Sequence, residues 1–300
     1  MGPGDMYEAL RLLEAEALAE GDGLGHDSPS IVAIADLAHV TSLGLEDDPE
    51  RAARWADDLA TRSIVHEETG PRGTFTTTER PHLDALVVLA ASGAPGTGTL
   101  GTAVFDRLHP EGPYPGAGGV VDRLYGDAGG LTPILERAAG EPELASGIVD
   151  SLLDDTPERD PDGGALHRTG IDTVFSPARD DVGEFPGLTD ETLRDVLVAS
   201  VDPSLDPVER GTTAYRLAEQ HAAVLDSRPP VPRGPYGGPQ EYSDTVVEGF
   251  AAATQPLLEG WTDPGAKEVW LLPSDGGEPV TFPDDVLWDA VGAYGERDSG

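Results

Sequence analysis

The chain has 300 residues, 56 acidic against 19 basic, a formal charge of −37 and no cysteine. Disulfides, thiolate zinc sites, iron–sulfur clusters and cysteine nucleophiles are thereby excluded. No window approaches the roughly 18 uninterrupted apolar residues of a membrane span, and MGPGDMYEAL has neither half of a signal peptide, so a cytoplasmic chain without a membrane partner is expected.

Apolar spacing predicts a helix over residues 7–20, where Leu10, Leu13, Ala17 and Leu18 share a face. Beyond a polar turn, Ile31, Ile34, Ala35, Ala38 and Leu45 mark a second helix over 30–45. Asp47, Asp48 and Pro49 then open a third that runs to Leu59. Residues 63–66 (SIVH) read as a short strand and 74–78 (TFTTT) as a strand or loop. Further helices are expected over 80–91, 102–108 and 120–125, and in pieces over 131–153. The stretch 154–164 (DDTPERDPDGG) has linker composition and divides a domain 1–153 from a domain 165–300. In the second domain Thr173-Val174-Phe175 reads as a strand, and 189–200, 212–225 and 244–250 as helices. Residues 267–272 and 280–282 form a hairpin pattern around Ser274-Asp275-Gly276-Gly277, followed by a last helix to Ala293.

Sliding residues 64–108 onto 174–218 without a gap pairs Gly73 with Gly183, Phe75 with Phe185, Leu83 with Leu193 and Gly101 with Gly211. Chance matches in a biased composition are the alternative to an internal repeat. The expected architecture is α/β, helix-rich with short strands, in two related units with a C-terminal β-hairpin and helix.

The acids are spread along the chain, and a single lysine, Lys267, stands against eighteen arginines. Self-repulsion at this charge opposes a compact state in dilute solution. In molar salt the Debye length falls to about 3 Å, so the same surface becomes tolerable. The composition therefore predicts a halophilic protein. It also weakens two usual clues: an isolated carboxylate means little here, and phosphate contacts contribute little to binding in concentrated salt.

Two patterns bear on chemistry. Residues 96–101 (GTGTLG) spell GxGxxG through Gly96, Gly98 and Gly101, and Asp122 follows about 20 residues on, as in dinucleotide-binding turns. Pro95 before the run and Pro110 soon after it also suit a plain flexible loop. Asp36 and His39, spaced i,i+3, share a helix face just after His26-Asp27. With the acids around them they are candidate ligands for a hard metal ion of the sort used in phosphoesterases, with a surface aspartate and a half-buried histidine as the alternative.

The segment from Ser30 to Leu43 (SIVAIADLAHVTSL) resembles the RecJ-like branch of the DHH phosphoesterases, in which an apolar run ends in a metal-ligand aspartate. Asp57–Val65 and Glu111-Gly112-Pro113-Tyr114 are also similar to haloarchaeal sequences of that type. The resemblance covers residues 7–125. It implies Asp36 as a ligand to one of two manganese or magnesium ions that activate water against a phosphodiester. The Asp-His-His motif of that family should precede Asp36 and does not occur, and Gly118-Gly119 and Gly237-Gly238 lack the histidine of its Gly-Gly-His signature. The resemblance thus implies an N-terminally truncated or degenerate relative, a non-catalytic partner in DNA replication or repair. Its partners would be single-stranded DNA or replication and repair proteins. The alternatives are a metal-dependent phosphoesterase or single-strand exonuclease using Asp36, and a nucleotide-binding enzyme using the Gly96–Gly101 loop.

Overall fold

The structure, a computed structural model, describes residues 2–19, 29–61, 64–70, 73–79, 82–109, 120–126, 130–154, 170–176, 185–226 and 242–260. Its helices are α1 (Pro3–Ala19), α2 (Pro29–Glu46), α3 (Pro49–Thr61), α4 (His82–Ala91), α5 (Thr99–Leu108), α6 (Val120–Tyr125), α7 (Thr132–Ala138), α8 (Pro142–Asp154), α9 (Gly170–Phe175), α10 (Asp190–Ala199), α11 (Pro207–Asp226) and α12 (Asp244–Gly260). Two strands, β1 (Ile64–Gly70) and β2 (Gly73–Glu79), pair antiparallel from Ile64 opposite Glu79 to Gly70 opposite Gly73.

The expected α/β fold is overturned. Such a fold needs a sheet whose faces are covered by helices, and among the described residues the strands form a single two-stranded ribbon, every other element being a helix. The triplet Thr173-Val174-Phe175, read as a strand, is the end of α9. Ile171, Val174 and Phe175 are spaced i, i+3, i+4 and all fully buried, so packing of a helical face overrides the β preference of a β-branched and aromatic run. The repeat register sets β1 against the end of α9, so the notion of two related α/β units falls with it. The C-terminal hairpin and the helix to Ala293 lie outside the described residues.

The chain divides into two compact units, Met1–Arg137 with Val182–Leu188, and Ala138–Asp181 with Thr189–Gly300. In the first, α4 (HLDALVVLAA) is buried on every side: Leu83, Ala85, Leu86, Val87, Val88, Leu89 and Ala90 are all withdrawn from water. A helix apolar all round belongs at the centre, and α1, α2, α3, α5 and α6 pack on it. From α3 come Trp55 and Leu59, from α5 Val104 and Phe105, and the Phe105 ring stacks on His109 at 5.4 Å.

The second unit takes in α8, which the sequence placed before the linker. This helix lies against α9, α10 and α11, burying Leu144, Ile148, Val149 and Leu152. The linker stretch beyond Asp154 lies outside the described residues. Phe250 of α12 sits between Phe175 (6.2 Å) and Tyr242 (5.3 Å). Helix α12 crosses α10 at Gly249, where an added Cβ would come within 3.0 Å of the Arg194 backbone. No helix among the described residues is long and apolar enough to cross a membrane.

Candidate functional site

The Gly96–Gly101 run forms the turn between α4 and α5. Gly96 (φ 98°) and Gly98 (φ 58°) take left-handed conformations that only glycine adopts without strain. Gly98 is the N-cap of α5 and offers no side chain to the free N–H groups of its first turn. Gly101 is buried one turn in.

One of those N–H groups, that of Leu100, is met from within the protein. Glu46, the last residue of α2 and only 2% exposed, accepts through Oε2 from the Leu100 N–H (3.1 Å) and the Thr97 hydroxyl (2.8 Å). Its Oε1 accepts from both Nη1 and Nη2 of Arg137, each at 3.3 Å. The Arg137 guanidinium, 7% exposed, also donates to the carbonyls of Ala90 (2.5 Å) and Ala94 (2.7 Å). A carboxylate therefore lies at the positive start of α5 and a guanidinium at the negative end of α4, the arrangement that helix dipoles favour. Desolvating two charges is costly unless they are paired and hydrogen-bonded, and here they are both. Gly93 leaves the space: an added Cβ would overlap Nη1 and Cζ of Arg137 and Oε1 of Glu46.

The place where a dinucleotide pyrophosphate would meet a helix N-terminus is thus held by Glu46. Asp122, the candidate ribose acid, is on α6. Neither Glu46, Gly93 nor Arg137 carried a sequence signal. Glu46 is one acid among 56, and its arginine lies 91 positions away.

Asp36 and His39 both stand on the exposed face of α2. His39 Nδ1 lies 2.7 Å from the Ser92 carbonyl, which also accepts from the Ser42 hydroxyl at 3.0 Å. Because a carbonyl only accepts, the ring carries a proton on Nδ1. His39 is exposed rather than half-buried, and its contact ties α2 to the end of α4. Among the described residues no group of three or more His, Asp or Glu is placed to hold a metal ion. His26 and Asp27 lie outside the described residues. Trp55 is buried, with the Arg51 guanidinium 5.8 Å from its ring centre.

A second polar cluster joins α8 to α11. Asp150 accepts from the Thr213 hydroxyl (3.0 Å) and from Arg216 (3.4 Å), and Arg216 also bonds Asp154. Burial pushes the Asp150 carboxyl above its ordinary value, against the lowering effect of Thr213 and Arg216. No family model matches the chain, and neither a curated protein nor a solved structure matches it.

Proposed function

We propose that the chain is a non-catalytic member of a DNA replication or repair assembly, working in the saline cytoplasm of a halophile. The observation that carries the non-catalytic reading is Glu46. Its carboxylate sits at the start of α5 where the glycine loop would meet an anion, and it is held there by Arg137, Thr97 and the Leu100 N–H. The remaining candidate group, His39, has one ring nitrogen engaged with Ser92. The resemblance of Ser30–Leu43 to the RecJ-like branch supports the choice of assembly, and the charge of −37 supports the saline compartment.

The test uses the purified chain in molar KCl with single-stranded DNA and manganese. No hydrolysis is expected, and immobilised chain should enrich replication or repair proteins from a haloarchaeal extract. Manganese-dependent hydrolysis that disappears in Asp36→Ala would overturn the reading in favour of a phosphoesterase. A rise in melting temperature with added nucleotide, abolished by Gly98→Val, would overturn it in favour of nucleotide binding.

A further inference from the structure

One short segment docks away from both of its chain neighbours. Val182–Leu188 belongs to the first unit, whereas the stretches on either side of it, Ala138–Asp181 and Thr189–Gly300, belong to the second. Within it, Phe185-Pro186-Gly187-Leu188 makes a tight turn, closed by the Leu188 N–H on the Phe185 carbonyl at 3.2 Å. Proline at the second position and a glycine with φ 74° at the third are the pattern of a type II turn. Pro186 and Gly187 at its tip are exposed, while Phe185 and Leu188 are buried.

The seat that receives this turn has a definite chemistry. The Phe185 ring lies 5.9 Å from that of His109, just beyond the end of α5, and His109 stacks on the buried Phe105 at 5.4 Å. Thr132, fully buried at the start of α7, donates its hydroxyl to the Pro186 carbonyl at 2.9 Å. A buried hydroxyl left without an acceptor is costly, so the seat calls for an aromatic ring followed, one residue on, by a carbonyl. The turn buries two of its four residues, whereas α4 is buried on every side. Segments with few buried side chains open locally at less cost than the whole fold. We propose that the seat is a binding site for an aromatic-Pro-Gly turn of a partner protein, and that the chain's own turn occupies it as an internal ligand. Proline and glycine hold such a turn in shape beforehand, so little ordering opposes its binding. Tethered beside the seat, the internal turn competes at an effective concentration on the order of mM, which keeps weak peptides out. A second copy of the chain is the poorer source of the incoming turn, because two chains of charge −37 repel.

The test uses the full chain in molar KCl, with a fluorescently labelled peptide of residues 183–190 (GEFPGLTD) as the probe. Phe185→Ala removes the internal ring, and losing its burial should free the seat by about tenfold or more. By fluorescence anisotropy this variant should therefore bind the peptide at least about tenfold more tightly than the wild type. A peptide with alanine in place of its phenylalanine should not bind. Adding Thr132→Val to the Phe185→Ala chain should weaken the peptide about 2–10-fold. The wild type supplies a measurement that needs no variant to fold: the Leu188 amide should exchange faster than the amides of α4, at a rate that low urea does not change, as local opening requires. Circular dichroism checks that the variants stay folded. A folded Phe185→Ala chain that binds the peptide no better than the wild type, binding indifferent to the peptide's ring or to Thr132, or a Leu188 amide that exchanges only with global unfolding would each overturn the proposal. A wild-type dimer that the peptide dissociates would also overturn it, by assigning the seat to a second copy.

Discussion

Replacing Gly93 with alanine puts a methyl group into space held by Arg137 Nη1 and Cζ and by Glu46 Oε1. Arg137 can make room only by leaving the carbonyls of Ala90 and Ala94 and both of its contacts to Glu46. Glu46 then stays buried with Thr97 and Leu100 as its remaining donors. Separating a buried ion pair in this way costs about 3–5 kcal/mol, a large part of the ~5–15 kcal/mol that holds a typical domain together. An Arg137→Ala background removes the overlaps with Nη1 and Cζ and frees Glu46 Oε1, the remaining close atom, to swing aside, so the same Gly93→Ala change should cost under about 1 kcal/mol. The double-mutant cycle should therefore give a coupling of at least ~2 kcal/mol. Urea titrations in molar KCl, followed by helical circular dichroism, measure all four corners. Equal costs for Gly93→Ala in the two backgrounds would refute the claim that the glycine is there for the ion pair.

Asp150 gives a pH-dependent prediction. Burial raises its pKa in the folded chain above the ordinary 3.8, so the folded state holds the proton more tightly than the unfolded one. Stability from this group is full below the ordinary value and is lost as pH rises through the folded one. Asp150→Asn keeps an acceptor for Thr213 and Arg216 without the charge. It should raise the urea midpoint at neutral pH, with the gain vanishing in acid; a variant less stable at neutral pH would contradict the assigned cause. Thr189 caps α10 by accepting from the Thr192 N–H at 3.2 Å, so Thr189→Ala should cost about 1 kcal/mol and speed amide exchange at Thr192 first. The melting temperature of the whole chain should climb from dilute buffer to molar KCl as its charge is screened, and a flat or falling curve would refute the halophilic reading.

Helices were legible where one face alone had to be apolar. The stripe Ile31, Ile34, Ala35, Ala38, Leu45 marked α2 to within a residue at each end, and all but Ala35 are buried. Ends were harder because they depend on capping. Helix α11 begins at Pro207, five residues before its apolar pattern, since Asp206 accepts from the N–H groups of Val208 and Glu209. Short apolar runs failed altogether. A triplet such as Thr173-Val174-Phe175 has no period of its own, and only the burial of Ile171 and Phe175 on one side of α9 decides it.

The candidate site was harder still, because its chemistry depends on a partner the local pattern does not contain. The glycines at 96, 98 and 101 correctly announce a tight turn into a helix, and a turn of that shape offers N–H groups to an anion. Nothing within the motif says which anion arrives. Here it is a side chain from 54 residues upstream of Leu100, held by an arginine farther along the chain. A phosphate-binding loop and an internally capped helix therefore read alike in sequence, and they separate only at the residue that approaches the turn. In a chain where acids cover the surface, a buried glutamate has no distinguishing neighbourhood. Its signature is instead the loss of volume at Gly93, where the ion pair leaves no room for a Cβ. That makes the glycine, rather than the glycine-rich motif beside it, the position at which the two readings can be told apart by experiment.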